Sequence, residues 1–396
     1  MGFASGSVSF RRFAVIGKSP KAVDPSLLDA LAANALKPGE FGVPEEEEYG
    51  WSGGRHVLDS QFSFEHNAFA DALHFAIRVD TNKVPGELKK AYQLMEEEAV
   101  ASANPSGFIS KGQKKDVKET IRRKLDDELR SGKFRRSKLL PVLWDVPSHT
   151  VYCSASGSSQ EKLLDLFERT FELKLQPLSA GSLALQMLEP KGKRRDYEDF
   201  RPTRFVYGPE GESQHPDYPW VAKGPEPKDF LGNEFLTWLW HEADNRTGIV
   251  GTGGPAGDVT VYFDRSLDLD CSYGQTGRDA LKGDGPSRMP EARDGLRSGK
   301  VPRRAGLVLD INRQQYTLSL NPESMSVGAA RLPDVEEADS PRVLFEERIT
   351  LLRDLCAGLD ALYETFLKTR ASSAWEGYTS GIRRWVTETK KASAAA

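Results

Sequence analysis

At 396 residues the chain is long enough for two or three domains, or for one large core with insertions, and 28% charged with 38% apolar residues describes an ordinary soluble globular protein. No run approaches the ~18 apolar residues of a membrane span, and three distant cysteines (Cys153, Cys271, Cys356) fit neither a disulfide framework nor a zinc site and suit a reducing cytoplasm. The formal net charge is -4, but Lys111 to Lys138 holds twelve cations against five acids, a local +7 that leaves -11 on the rest, and charge separated in this way points to a polyanionic partner.

In chain order, Met1 to Gly17 lacks the continuous apolar region of a secretory signal, and Ser7 to Ile16 alternates in the manner of a first strand. A short helix is expected over Pro25 to Leu36, an acidic surface run at Glu45 to Glu48, and a strand over Phe69 to Thr81 centred on Leu73 to Val79. A helix begins after Pro85 and runs to about Ala101, broken by Asn104, Pro105 and Gly107. The basic helix follows from about Gln113 to Arg130 and stops at Gly132. At about 100° per residue, Lys111, Lys115, Lys118 and Arg122 fall within roughly a 60° sector while Val117 and Ile121 lie elsewhere, so one side packs and the other meets phosphates. Next, Lys133-Phe134-Arg135-Arg136 sets one aromatic among cations, placed to stack on bases or wedge between them. The alternative is a solvated helix face with Phe134 in the core.

Leu139 to Val146 and Thr150 to Ala155 read as a hairpin joined by Pro147-Ser148-His149. Ser158 with Glu161 forms a capping box, and Leu163, Leu164, Phe167 and Phe171 trace a helical face to about Thr170 before a strand from Phe171 to Leu178. This order of elements implies an α+β layer, with a first domain at residues 1–188. Lys191 to Arg204 is a second basic patch, and the prolines and glycines from Pro209 to Pro227 suggest a linker, so residues 189–228 separate the first domain from a C-terminal α+β region at 229–396. There, Leu231, Phe235, Trp238 and Leu239 give Phe230 to Ala243 a core-facing stripe. Strands follow at Val259 to Asp264, Ala305 to Ile311 and Tyr316 to Leu320, with a short helix from Pro290 to Arg297, terminal helices at Pro341 to Thr369 and Trp375 to Thr389, and a frayed tail after Lys390.

Catalytic motifs are hard to find. Gly251 to Ala256 precedes a strand where a dinucleotide fingerprint needs a helix, and Gly295 to Lys300 has phosphate-loop glycines one position too close. No GxSxG elbow exists, and the six histidines (His56, His66, His74, His149, His215, His241) share no metal-ligand spacing. Asp264, Asp268 and Asp270 form a carboxylate cluster that would suit Mg²⁺-dependent phosphodiester hydrolysis, and Glu172-Leu173-Lys174, read as strand, echoes a nuclease motif. A nuclease and a non-enzymatic protein-interaction scaffold are therefore the rivals to a DNA binder.

Several features together resemble the recombination-associated protein RdgC family. They are the opening Gly2 to Val15, the Tyr49-Gly50-Trp51 turn, the strand at Phe75 to Asp80 followed by Lys83-Val84-Pro85, the basic helix and its corner, the strand ending Leu143-Trp144-Asp145, and Leu175-Gln176-Pro177-Leu178. The resemblance covers roughly the first 185 residues, and the second half, with Phe230 to Trp240, looks like that of longer members. It implies an RdgC-like fold of mixed or antiparallel sheets with packed helices, and a ring-forming homodimer with a positively charged central hole. It also implies a cytoplasmic, nucleoid-associated protein that binds DNA, double- or single-stranded, with little sequence preference, and restrains RecA-mediated strand exchange with no cofactor, metal or catalytic residue. The expected DNA contacts are Lys111, Lys114, Lys115, Lys118, Arg122, Arg123, Lys133, Phe134, Arg135, Arg136 and Lys138, with Lys193, Arg194 and Arg195 from the second patch.

Overall fold

The computed structural model describes residues 2–37, 47–206, 215–224, 226–245, 248–254, 256–335 and 338–387. Glu45 and Glu46 of the acidic run, Pro255 of the glycine-rich turn, part of the stretch from Pro209 and the tail after Lys390 lie outside the described residues. The strands are β1 (Val8–Ile16), β2 (Glu47–Ser52), β3 (Ala68–Phe69), β4 (Ala72–Asn82), β5 (Arg135–Asp145), β6 (Thr150–Cys153) and β7 (Lys174–Pro177). They continue with β8 (Ile249–Gly251), β9 (Asp258–Cys271), β10 (Arg278–Gly283), β11 (Lys300–Ile311), β12 (Gln314–Asn321) and β13 (Ser326–Arg331). The helices are α1 (Pro25–Ala33), α2 (Phe64–Asn67), α3 (Gly86–Ala103), α4 (Lys111–Arg130), α5 (Ser158–Phe171) and α6 (Ala180–Leu188). After these come α7 (Arg194–Asp199), α8 (Phe230–Asn245), α9 (Pro290–Arg297), α10 (Pro341–Arg370) and α11 (Trp375–Thr387), which completes an α+β architecture.

Two compact units interleave along the chain: the first takes Met1–Val15, His149–Ser154 and Leu175–Ala396, the second Ile16–Ser148 and Ala155–Lys174. Sequence composition suggested consecutive stretches with a break at 188. The observed division differs because β1 pairs with β13 from the far end of the chain as well as with β6.

In the second unit β2, β4 and β5 form an antiparallel sheet, with β3 folded back on β4. Tyr49-Gly50-Trp51, expected as a turn, is the middle of β2, paired with Val79, Arg78 and Ile77. Pleating puts every second residue on one face, so Phe75 and Ile77 of β4 share a buried side with Val142 and Leu140 opposite them. Helix α5 covers that side, where Trp144 meets Phe167 at 5.1 Å and Phe171 at 5.0 Å between ring centroids. The capping box expected at Ser158 is absent: Gly157 is the N-cap, and Ser158 already belongs to the helix. Glu172 is the left-handed C-cap of α5 (φ 56°) and not part of a strand, so the nuclease-like Glu-Leu-Lys triplet loses its geometry.

In the first unit the strands run β10-β9-β11-β12-β13-β1-β6, with β8 beside β9 and β7 beside β1. Helix α8 buries the stripe foreseen in its sequence: between ring centroids Phe235 lies 5.2 Å from Tyr363 and Trp238 5.9 Å from Phe366, both of α10, and Trp240, outside that stripe, lies 6.0 Å from Phe263 of β9. Gly232 is required there, because a Cβ would stand 2.1 Å from the Pro322 carbonyl oxygen. Seven elements escaped the sequence reading (β2, β8, β10, β13, α2, α6 and α7), being short, charged or lacking a clean apolar period, and β3 was not separated from β4.

Candidate nucleic-acid interface

The basic helix begins two residues earlier than expected, because Ser110 and Gln113 form the capping box that Ser158 does not. Ser110 Oγ accepts from the Gln113 N–H (3.3 Å), and the Ser110 N–H donates to Gln113 Oε1 (3.0 Å). Gln113 also exchanges amide hydrogen bonds with Asn104 (3.0 and 2.9 Å), tying the start of α4 to the end of α3. At the far end Gly132 adopts φ 73°, the left-handed geometry that ends a helix without a Cβ penalty.

Along α4 the side chains sort into three strips. Val117, Ile121 and Leu125 are buried and pack with Val84, Tyr92 and Val100, so α3 and α4 form a helical arm with its own small core. Lys111, Lys115, Lys118 and Arg122 project into solvent beside that seam, as their shared 60° sector foretold, and Lys114, outside that sector, is exposed as well. Asp116, Glu119, Asp126 and Asp127 occupy the strip beyond.

Between the two helices runs a groove of about 980 Å³. On one wall stand Lys118, Arg122, Asp126 and Arg130, on the other Lys83, Lys89 and Gln93, over a floor of Val84, Ile121, Leu125 and Leu129. Five cations thus face one carboxylate, and Asp126 is only loosely engaged by Arg122, at 3.9 Å. Lys89 was missed in the sequence, and Lys83 was noticed only through the family resemblance. The available signal was spacing: Lys89 and Gln93 are four apart on α3 and therefore share a face.

The remaining expected contacts divide. Lys111, Lys114, Lys115, Lys118, Arg136 and Lys138 are exposed and carry no ion pair among the described residues, as does Arg130, which was not among the expected contacts. Arg123 is held by Glu119 (2.6 Å). Lys133 donates to Glu128 Oε1 (2.6 Å), which also accepts from the Tyr92 hydroxyl (2.9 Å), and the Lys133 bond holds the Glu128 carboxyl below its ordinary range. Phe134 is half-buried with the Lys133 ammonium 5.6 Å from its ring centroid, neither the free stacking platform nor the core residue that the two sequence readings described. Arg135 donates to Asp80 (2.8 Å) and to Glu48 (3.4 Å). Asp80 is buried and also grips Arg78 at 2.9 and 2.6 Å; burial alone would raise its carboxyl, but bonds from Arg78, Ser137 and Arg135 outweigh that and hold it below the ordinary value. Arg135 is therefore a strut at the base of the arm.

The second patch lies in the first unit. Arg194 there is enclosed by Glu189 (2.6 Å), Glu198 (3.0 Å) and Glu226 (3.8 Å), leaving Lys193 and Arg195 exposed. The carboxylates weighed as a metal site are each engaged: Asp268 accepts from Arg278 (2.5 Å), Asp270 from Arg303 (3.5 Å), and Asp264 lies 3.8 Å from Arg265. Among the described residues no group of three or more His, Cys, Asp or Glu side chains is placed to hold a metal, and no helix is long and apolar enough to cross a membrane. No protein-family model matches the chain, and no curated protein matches it.

Proposed function

We propose that the chain is a sequence-independent DNA-binding protein, dimeric in the manner of the RdgC family it resembles, that limits RecA-type strand exchange by occupying DNA. The observation that carries this reading is the groove of the α3–α4 arm, where five cations gather against one acid on an otherwise anionic chain. Lysines and arginines placed in this way neutralise phosphates and release counterions, so affinity depends steeply on salt and little on sequence. Occupancy of this kind uses no nucleophile and no cofactor.

With about six to eight phosphates contacted, log K should fall against log salt with a slope near -5 to -7, equally for unrelated duplexes. Reversal of three groove and ridge cations together (Lys115→Glu, Lys118→Glu, Arg122→Glu) is expected to abolish duplex binding. The circular dichroism melt should be unchanged, because all three side chains are exposed and among the described residues their one ion pair is the 3.9 Å contact of Arg122. Undiminished duplex affinity in that variant would retire the reading, and a strand-exchange assay titrated with wild-type protein tests the consequence for recombination.

A further inference from the structure

We infer that the arm groove takes a single polynucleotide strand, held from both sides, with Lys83 and Lys89 supplying the wall opposite Lys118, Arg122 and Arg130. This rests on the DNA-binding reading above and narrows it to a ligand class. The first argument is width. Helices that pack directly, as α3 and α4 do through Tyr92, Val100, Val117, Ile121 and Leu125, lie about 8–10 Å apart. A cleft between such neighbours admits one sugar-phosphate chain, whereas a duplex, whose major groove alone is about 12 Å wide, can only rest on its rim.

Charge gives the second argument. Lys118 to Arg130 spans about 18 Å of helix at 1.5 Å per residue. At the duplex rise of about 3.4 Å per phosphate and strand, about ten phosphates of both strands lie along that length, and about five of a single strand that keeps the stacked rise. The groove offers five cations, which matches one strand. The third argument is the floor. Phosphates alone need no apolar surface, yet the half-buried Val84 and Leu129 line the cleft between its charged walls, where the face of an unpaired base can cover them.

Lys83 and Lys89 are exposed and without an ion pair among the described residues, so neutralising them removes charge and little else. The test measures binding of oligo-dT and of a mixed-sequence duplex of equal length across a salt series, for the wild type and for the double variant Lys83→Gln, Lys89→Gln, with a thermal melt confirming the fold. Oligo-dT should bind, should displace the duplex, and should lose about 1.4 from its salt slope in the variant, at about 0.7 per phosphate contact. A duplex that binds while oligo-dT neither binds nor competes overturns the single-strand inference and leaves the DNA-binding reading standing. Oligo-dT binding with an unchanged slope in the variant overturns the two-walled grip, and binding of neither ligand by the wild type overturns both readings.

Discussion

Asp80 shows why a cation count over-states an interface. Its carboxylate, buried on β4, is shared by Arg78 and Arg135, two guanidiniums that sequence position alone makes look equally available. Removing one partner of a buried pair strands the other charge, at a cost of about 3–5 kcal/mol. Asp80→Asn, which leaves Arg78 buried and unpaired, is therefore expected to lower the unfolding free energy by that amount, as read from urea titration at neutral pH. The pH dependence has a definite sign. The folded-state pKa of Asp80 lies below its ordinary value of 3.8, so its contribution is fully present above that value and is lost as pH falls through the depressed one. The gap between wild type and variant should therefore close in strong acid; a gap that stays constant with pH would mean that the carboxylate is not what stabilises the wild type. None of this was legible in the sequence, because Asp80, Arg135 and Glu48 meet only through β-sheet register.

At the scale of elements, the arm is where sequence and structure agree best, and the reason is local: a periodic apolar seam and a terminal glycine both act within a few residues of themselves, while the unread Ser110 cap moved the start by two residues. Strands whose partners are distant carried a weaker signal, and β2, acidic at its start, was hidden by its own surface charges. The arm is also the element with least packing. Helix α3 has no fully buried residue, α4 has three, and Leu94 and Met95 of α3 and Phe108 between the helices stand exposed. Such a segment opens at lower free energy than a sheet whose core residues are fully enclosed. Leu125→Ala removes one of the three buried anchors and is expected to destabilise the arm by about 2–4 kcal/mol. In native-state hydrogen exchange the amides of α3 and α4 should then lose protection while those of β4 and β5 keep theirs, and duplex affinity should fall with the fraction of arm opened. Uniform loss of protection across the second unit would show that arm and sheet unfold as one.

For the whole molecule, the break suggested at Leu188 and the interleaved units make opposite predictions about a fragment of residues 1–188. That fragment keeps all of the second unit and only the opening pieces of the first. It lacks β13, which pairs with β1 at Val8 and Phe10, and it lacks Asp360, whose carboxylate accepts two bonds from the buried Arg12 at 2.7 Å each. It also lacks Glu323 and Tyr363, which bond the backbone of Ala180 at the start of α6. With α10 and β13 gone, β1 and α6 lose the elements that enclose and pair with them, and stability margins of a few kcal/mol leave nothing to offset that loss. β1, β6 and α6 should therefore exchange their amides in the fragment at the rate of an unfolded chain, while β4, β5 and α5, whose partners are all present, remain protected. Protection of β1 equal to that in the full chain would restore the sequence boundary and show that β6 alone suffices as its neighbour. The physical ground for expecting otherwise is that a strand's stability comes from the side chains facing it across the sheet and the helices laid over them. For β1 the β13 partner comes from more than three hundred residues further along the chain.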